Sequence, residues 1–444
     1  MKKIVFLLIF FLSFISSKVQ AISLIRDSEI ENFLYDLTKP IFKAAGLKPQ
    51  DIKIYIVQDS SLNAFVAGGQ NIFINTGLIT KYSDPNVLIG VIAHETGHIT
   101  GGHLARSGED LEKAGNAAIL SYVLGIAAAA TVSPDAGMAL MMGGNHIANR
   151  TALRFTRTQE EAADALAIKY LKKSNNSADG LLKILKEFNS QESEFRNQID
   201  EYAITHPISQ KRINFITSNS RGVLSHNNHD LTKRLKRIIA KIDGFVNDPE
   251  NVIKNYSKND NNSKYARCIA YYRMGQTKKA LKILDGLIGQ THKDSYLFDL
   301  KGQILFESGN YKEAAAAYKK TIQIDSSNNL ARIALAQSIV NLSFNDQQIN
   351  NLAIRNLIIA LKKEKDSPKI YKILAKAHHL NGDLGQSYLA LAQMSFLEED
   401  HDNVKKYSKL ARKNLSKDDK VSLLILDDLE NFSEDKKLEK EEVS

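Results

Sequence analysis

The 444-residue chain has a single cysteine, Cys268, and no tryptophan. A lone thiol excludes an intramolecular disulfide, so stability has to come from apolar cores and, where ligands exist, from metal. The small apolar stretch from Ala117 to Ala130 falls short of the ~20 residues that cross a bilayer, and Pro134 and glycines break up the residues after it. No basic run is interleaved with aromatics, so the formal charge of +9 is dispersed and gives no sign of a nucleic-acid surface. Such mild basicity would suit peripheral contact with an anionic membrane.

What is present begins with MKKIVFLLIFFLSFISSKVQA. Lys2 and Lys3 precede an apolar run of signal-peptide length, and Val19-Gln20-Ala21 offers small residues for cleavage. Residues 1–21 are thus expected to direct export and to be cleaved. Their removal takes Lys2, Lys3 and Lys18 and lowers the formal charge to +6. More than 400 residues remain, enough for two domains with separate cores.

The most chemical stretch is His94-Glu95-Thr96-Gly97-His98. On a helix the two imidazoles stand one turn apart on one face and can share a metal ion, with Glu95 beside it to handle protons. Asp84-Pro85 is a helix-start signal and the run Val87 to Ala93 is apolar on nearly every face, which predicts a buried helix. The bland alternative is a satisfied core histidine pair. The metzincin pattern would place a third histidine at 104, but that residue is Leu104, and His103 is one position out of phase.

A third ligand is therefore sought downstream. In Arg154 to Leu171 the residues Glu160, Ala163, Asp164, Ala167 and Ile168 share a helix face. Two histidines and a glutamate are a standard catalytic zinc set, which selects Glu160, with Glu161 as a rival. Asp164, one turn on, would accept a hydrogen bond from the far nitrogen of a zinc histidine. Before the zinc helix, Ser28 to Phe42 reads as a helix and Asp51 to Val57 as a strand. Gly68-Gly69 would turn a hairpin between Ala64–Ala67 and Asn71–Ile74. Asn71, Ile72, Phe73 and Ile74 are candidate substrate-binding residues if that strand offers a free edge to an extended peptide. The apolar segment 117–142 reads as a lid or plug, a plain helical hairpin, or a surface that dips into a membrane.

The C-terminal half repeats. Gly275 and Gly309, and Ala280 and Ala314, are each 34 residues apart, the tetratricopeptide period. Ala336 keeps the register after Gly302, an insertion near SFNDQQ displaces the next helix, and Cys268 falls at the small-residue position where paired helices touch. The expected domains are 22–217, a linker with one connecting helix at 218–262, repeats at 263–430 and a charged, disordered tail at 431–444.

HExxH followed by Glu160-Glu161-Ala162-Ala163-Asp164, with the NAF…GG…TGL stretch before it and His206-Pro207 through Arg212-Ile213 after it, resembles the gluzincin metallopeptidases related to the CAAX prenyl proteases and the heat-shock peptidase HtpX. The resemblance implies an α+β zincin-like domain, mostly helical with a small sheet, followed here by an all-α tetratricopeptide-repeat solenoid. It implies one Zn2+ per chain held by His94, His98 and Glu160, with Glu95 as catalytic base. His206 would lie near the metal, either stabilising the oxyanion or filling the fourth position at rest; the structural alternative is a loop cap, with Arg212 anchored to an acid. Together with the export signal the resemblance implies a periplasmic endopeptidase acting on misfolded or misassembled envelope proteins, with the repeats binding clients or outer-membrane assembly machinery. The alternative is a latent protease working mainly as a chaperone or assembly adaptor.

Overall fold

A computed structural model of the chain describes residues 23–103, 156–194, 206–220, 228–342 and 346–443. The leader at 1–21 and the lid candidate at 117–142 lie outside these residues.

The N-terminal part is a small sheet packed on helices. Strands β1 (Leu24–Ile25), β2 (Ile54–Val57), β3 (Ala64–Ala67) and β4 (Asn71–Asn75) are ordered β1-β2-β4-β3. The expected hairpin forms, with Ala67 opposite Asn71 and Gly68 and Gly69 at positive φ in the turn. The alternation of β4 sends Ile72 and Ile74 into the main core, while Phe73 stacks between Tyr55 and Phe65 on the other face.

Helix α1 (Ser28–Ala44) is capped by Asp27, whose carboxylate accepts from the amides of Glu29 and Ile30. Its apolar stripe, Phe33, Leu34, Leu37 and Ile41, enters the same core as Val87, Leu88, Val91 and Ile92 of α3 (Pro85–Thr100). The short α2 (Thr76–Lys81) lies between β4 and α3. As the sequence predicts, Asp84 caps α3 and Pro85 takes its first position. Helices α4 (Arg157–Lys173), α5 (Asp179–Glu194) and α6 (Gln210–Asn219) complete the domain.

The connecting helix expected in the linker, Leu231 to Phe245, forms α7 (His229–Val246), followed by α8 (Pro249–Asn255). This is no slack tether. Leu235, Ile238 and Ile242 belong to the core of the N-terminal domain, while Ala240 packs with Val252, Ala266 and Ala270. One helix thus serves two cores.

The repeats are helix pairs: α9 (Asn261–Arg273) with α10 (Thr277–Gln290), α11 (Ser295–Glu307) with α12 (Tyr311–Ile324), α13 (Asn329–Leu342) with α14 (Gln347–Leu361), and α15 (Pro368–Leu380) with α16 (Leu384–Leu397). Helix α17 (His401–Asn414) and α18 (Lys420–Val443) come after them. Gly275, Gly309 and Gly382 end the first helices of three pairs at positive φ. A side chain at Gly302 would meet the Tyr318 ring, so the small residue there sets how closely α11 and α12 approach. Cys268, one repeat earlier, is fully buried and donates its S–H to the Ala280 carbonyl.

The charged C-terminal stretch corrects an expectation. It is helical to Val443 rather than disordered, in keeping with its wealth of Glu, Lys and Leu, all strong helix formers. Among the described residues no helix is long and apolar enough to cross a membrane.

Candidate metal centre

Two helices and the segment leading into a third converge to build the centre. On α3 the 3.6-residue period brings His94 and His98 side by side, their Nε2 atoms 3.1 Å apart. Helix α4 begins with a capping box between Thr156 and Gln159, which fixes its start so that Glu160 and Asp164 face inward. The two helices can meet because Gly97 has no side chain: a Cβ there would lie 2.6 Å from the Ala163 carbonyl oxygen. His206 enters from the segment just before α6, whose N-cap Ser209 accepts from the Arg212 amide.

His94, His98, Glu160 and His206 are all completely buried, and one donor atom from each falls within 4.8 Å of the others. Donors ~2.0–2.1 Å from a tetrahedral zinc lie ~3.3–3.4 Å from one another. Glu160 oxygens sit 3.3 Å from the Nε2 atoms of both His94 and His98, while His206 Nδ1 lies 3.0 Å from Glu160 Oε1 and 3.4 Å from His94 Nε2. The donor set and its spacing fit zinc.

Glu160 rather than Glu161 meets the histidines, for Glu161 turns outward and pairs with Lys211. Asp164 lies 2.9 Å from His94 Nδ1, the nitrogen away from the cluster. It also receives a fork from Arg212, Nε at 2.7 Å and Nη2 at 2.9 Å. Arg212 reaches Glu160 at 2.6 Å as well and donates to the Pro207 carbonyl, so one buried guanidinium links the acids of α4 to the segment carrying His206. Proximity to the cluster and an anchored loop, alternatives from the sequence, are both present.

Glu95 occupies a different environment. Among the described residues neither of its carboxylate oxygens has a hydrogen bond, and His206 Nε2 lies 3.4 Å from Oε1. Burial pushes its carboxyl up to about 8, against the opposing pull of His206. Burial also raises Asp164 and Glu160, but there the cations win: Arg212 with His94 holds Asp164 low, and His206, Arg212 and His94 hold Glu160 well below the usual range. Neighbouring carboxyl groups with opposed shifts mark a functional site.

Sequence reasoning missed His103. It is out of phase for the cluster, yet Gly102 at φ +63° folds it back so that its Nδ1 lies 2.9 Å from His98 Nδ1. Gly101 makes room, since a Cβ there would sit 2.5 Å from the His103 ring. The substrate-strand candidates need correction. Asn71, Ile72, Phe73 and Ile74 lie in β4, which is paired on both sides, parallel to β2 and antiparallel to β3, so it cannot accept another strand. Among the described residues the edge beside α3 is β3.

Fold and centre together resemble a gluzincin metallopeptidase domain joined to a tetratricopeptide-like array. Residues 27–220 match the model of peptidase family M48, and residues 250–321 match that of anaphase-promoting complex, cyclosome, subunit 3. The chain is related to bacterial β-barrel assembly-enhancing proteases. It is 25% identical to that of Yersinia pestis over 303 residues, 66% of this chain and 61% of the relative, and 27% identical to that of Escherichia coli K12 over 192 residues, 43% and 39% of the two chains. It is also 25% identical over 176 residues, 39% and 48% of the two chains, to mitochondrial metalloendopeptidase OMA1 of Schizosaccharomyces pombe. The chain thus spans less than two thirds of the length of each.

Proposed function

We propose that this chain is an exported zinc metalloendopeptidase that hydrolyses peptide bonds in misfolded or misassembled envelope proteins of the periplasm and outer membrane. The observation that carries the reading is the buried set His94, His98, Glu160 and His206 at tetrahedral spacing, with the unbonded carboxylate of Glu95 beside it. His94, His98 and Glu160 would hold the metal, which when bound polarises a carbonyl and makes water acidic near neutral pH. Glu95, raised by burial, suits a general base that takes a proton from the attacking water and returns it to the leaving nitrogen. Asp164 fixes the tautomer of His94, and Arg212 fixes Asp164. An extended substrate would lie along β3 rather than β4, and the relatives' names support envelope assembly as the setting.

A second reading rests on His206. A catalytic zinc keeps one position open, whereas four protein donors close the shell. With His206 Nδ1 inside the cluster, the resting enzyme would be latent and the chain would work chiefly as a chaperone or adaptor until His206 leaves.

The test is zinc content together with cleavage of an unfolded model protein. Glu95→Gln should keep stoichiometric zinc and lose cleavage; an unchanged rate would refute the base. His206→Ala should raise the basal rate if His206 closes the centre and lower it if His206 steadies the oxyanion. No change in rate or zinc affinity would remove His206 from the mechanism.

A further inference from the structure

Outside the metal centre, the start of α1 lies against the first helices of successive repeats. Ser28 Oγ donates to Asp299 of α11 and accepts from Asn328, just ahead of α13. Asn32 donates to the Tyr296 hydroxyl, and the Tyr265 hydroxyl of α9 donates to Glu29. Arg26 reaches Glu364 in the turn before α15 at 2.7 Å. Tyr265 and Asp299 are 34 residues apart, so they occupy the same position in consecutive repeats and hold the same short segment.

The charges here do not balance. Of the acids Asp27, Glu29, Asp294 and Asp299, the first three share two cations, Lys241 and Arg237 of α7. Lys241 sits 2.5 Å from Asp27 and 3.1 Å from Glu29, while Arg237 takes Glu29 and Asp294. Among the described residues Asp299 has no such ion pair, only the hydroxyl of Ser28.

We propose that residues 26–32 are the resident ligand of the first repeats, and that Asp299 makes this dock a proton-tightened clamp between repeat array and peptidase domain. The groups facing Asp299 are Asp27 and Glu29 from α1, Lys241 from α7 and the Tyr318 phenol from α12. Burial pushes its carboxyl from 3.8 to about 6, with Asp27 and Glu29 adding to the rise and Lys241 and Ser28 opposing it. A carboxyl raised on docking takes up a proton when the clamp closes. Docking is therefore tightest in acid, weakens as pH climbs from about 4 to about 6, and is constant above that window. Because α1 carries its apolar stripe into the core beneath α3, the clamp fixes the repeats to the helix bearing His94 and His98.

Hydrogen exchange of the full mature chain tests this, with rates corrected for the intrinsic effect of pH. In the wild type, amides 28–34 and 296–301 should lose about tenfold in protection between about pH 5 and 7.5. Amides of α15 and α16 serve as the internal reference. Asp299→Asn should abolish the dependence and hold both segments closed at about pH 7.5 at least as well as wild type does at 5. Ser28→Ala, which removes the hydrogen bond favouring the ionised form, should steepen it. Flat wild-type protection, or faster opening in Asp299→Asn than in wild type at 7.5 with the reference amides unchanged, would overturn the clamp.

Discussion

Arg212 gives the sharpest test of how the metal centre is held. Its side chain is 2% exposed, and it forks onto Asp164, touches Glu160 and donates to the Pro207 carbonyl. Arg212→Met would keep much of the volume and remove the charge, leaving two buried carboxylates facing each other. Breaking a buried pair from one side costs ~3–5 kcal/mol, because the orphaned charge stays in a poor solvent. For a domain of this size each kcal/mol moves the midpoint by about 2–4 °C, so a fall of roughly 6–20 °C is expected. Calorimetry of the metal-free chain reads this directly. Arg212→Lys should recover only part of the loss, since an ammonium cannot fork onto Asp164. The metal-loaded variant should recover some stability but bind zinc more weakly, as His94 loses its fixed orientation. A metal-free midpoint within 2 °C of wild type, with unchanged zinc affinity, would show that Arg212 is a bystander.

Packing sets two further outcomes. Gly97→Ala places a methyl 2.6 Å from the Ala163 carbonyl and must spread α3 from α4, so it should cost ~1–3 kcal/mol and lower zinc affinity, read by thermal unfolding and metal titration. Normal affinity would mean the helices need not touch. Cys268 is buried and its thiol is pushed up to about 12, so the reactive thiolate forms in the folded chain only at strongly alkaline pH. Labelling by a thiol reagent at about pH 8 should track unfolding in denaturant; fast labelling of the native protein would contradict the burial.

Whatever rests on one helical period is legible in the sequence. Glu160, Ala163, Asp164, Ala167 and Ile168 form one buried face as their spacing requires, and the 34-residue register places Cys268 correctly. What requires knowing the neighbours is not. A run such as Asn71 to Ile74, set off by the Gly68-Gly69 turn, reads as a strand but is silent about which strands flank it, and β2 closes the side that looks free. His103 is drawn to the centre by the turn at Gly102, a backbone conformation that helix phase does not predict. The basic stretch 229–246 reads as part of a linker because its polar flanks dominate its composition, yet its apolar stripe serves two cores.

The donors of the centre come from three distant stretches, His206 standing 112 positions after His94 and 46 after Glu160. An extended chain therefore contains no such site, only a pair of histidines able to hold a metal loosely. Closing loops of that length is left to folding, which must bring α3, α4 and the segment before α6 together before four donors exist. Metal capture then becomes a reporter of completed folding, and its free energy adds to the stability of the finished domain. A chain that crosses a membrane unfolded would draw its ion from the compartment in which it folds.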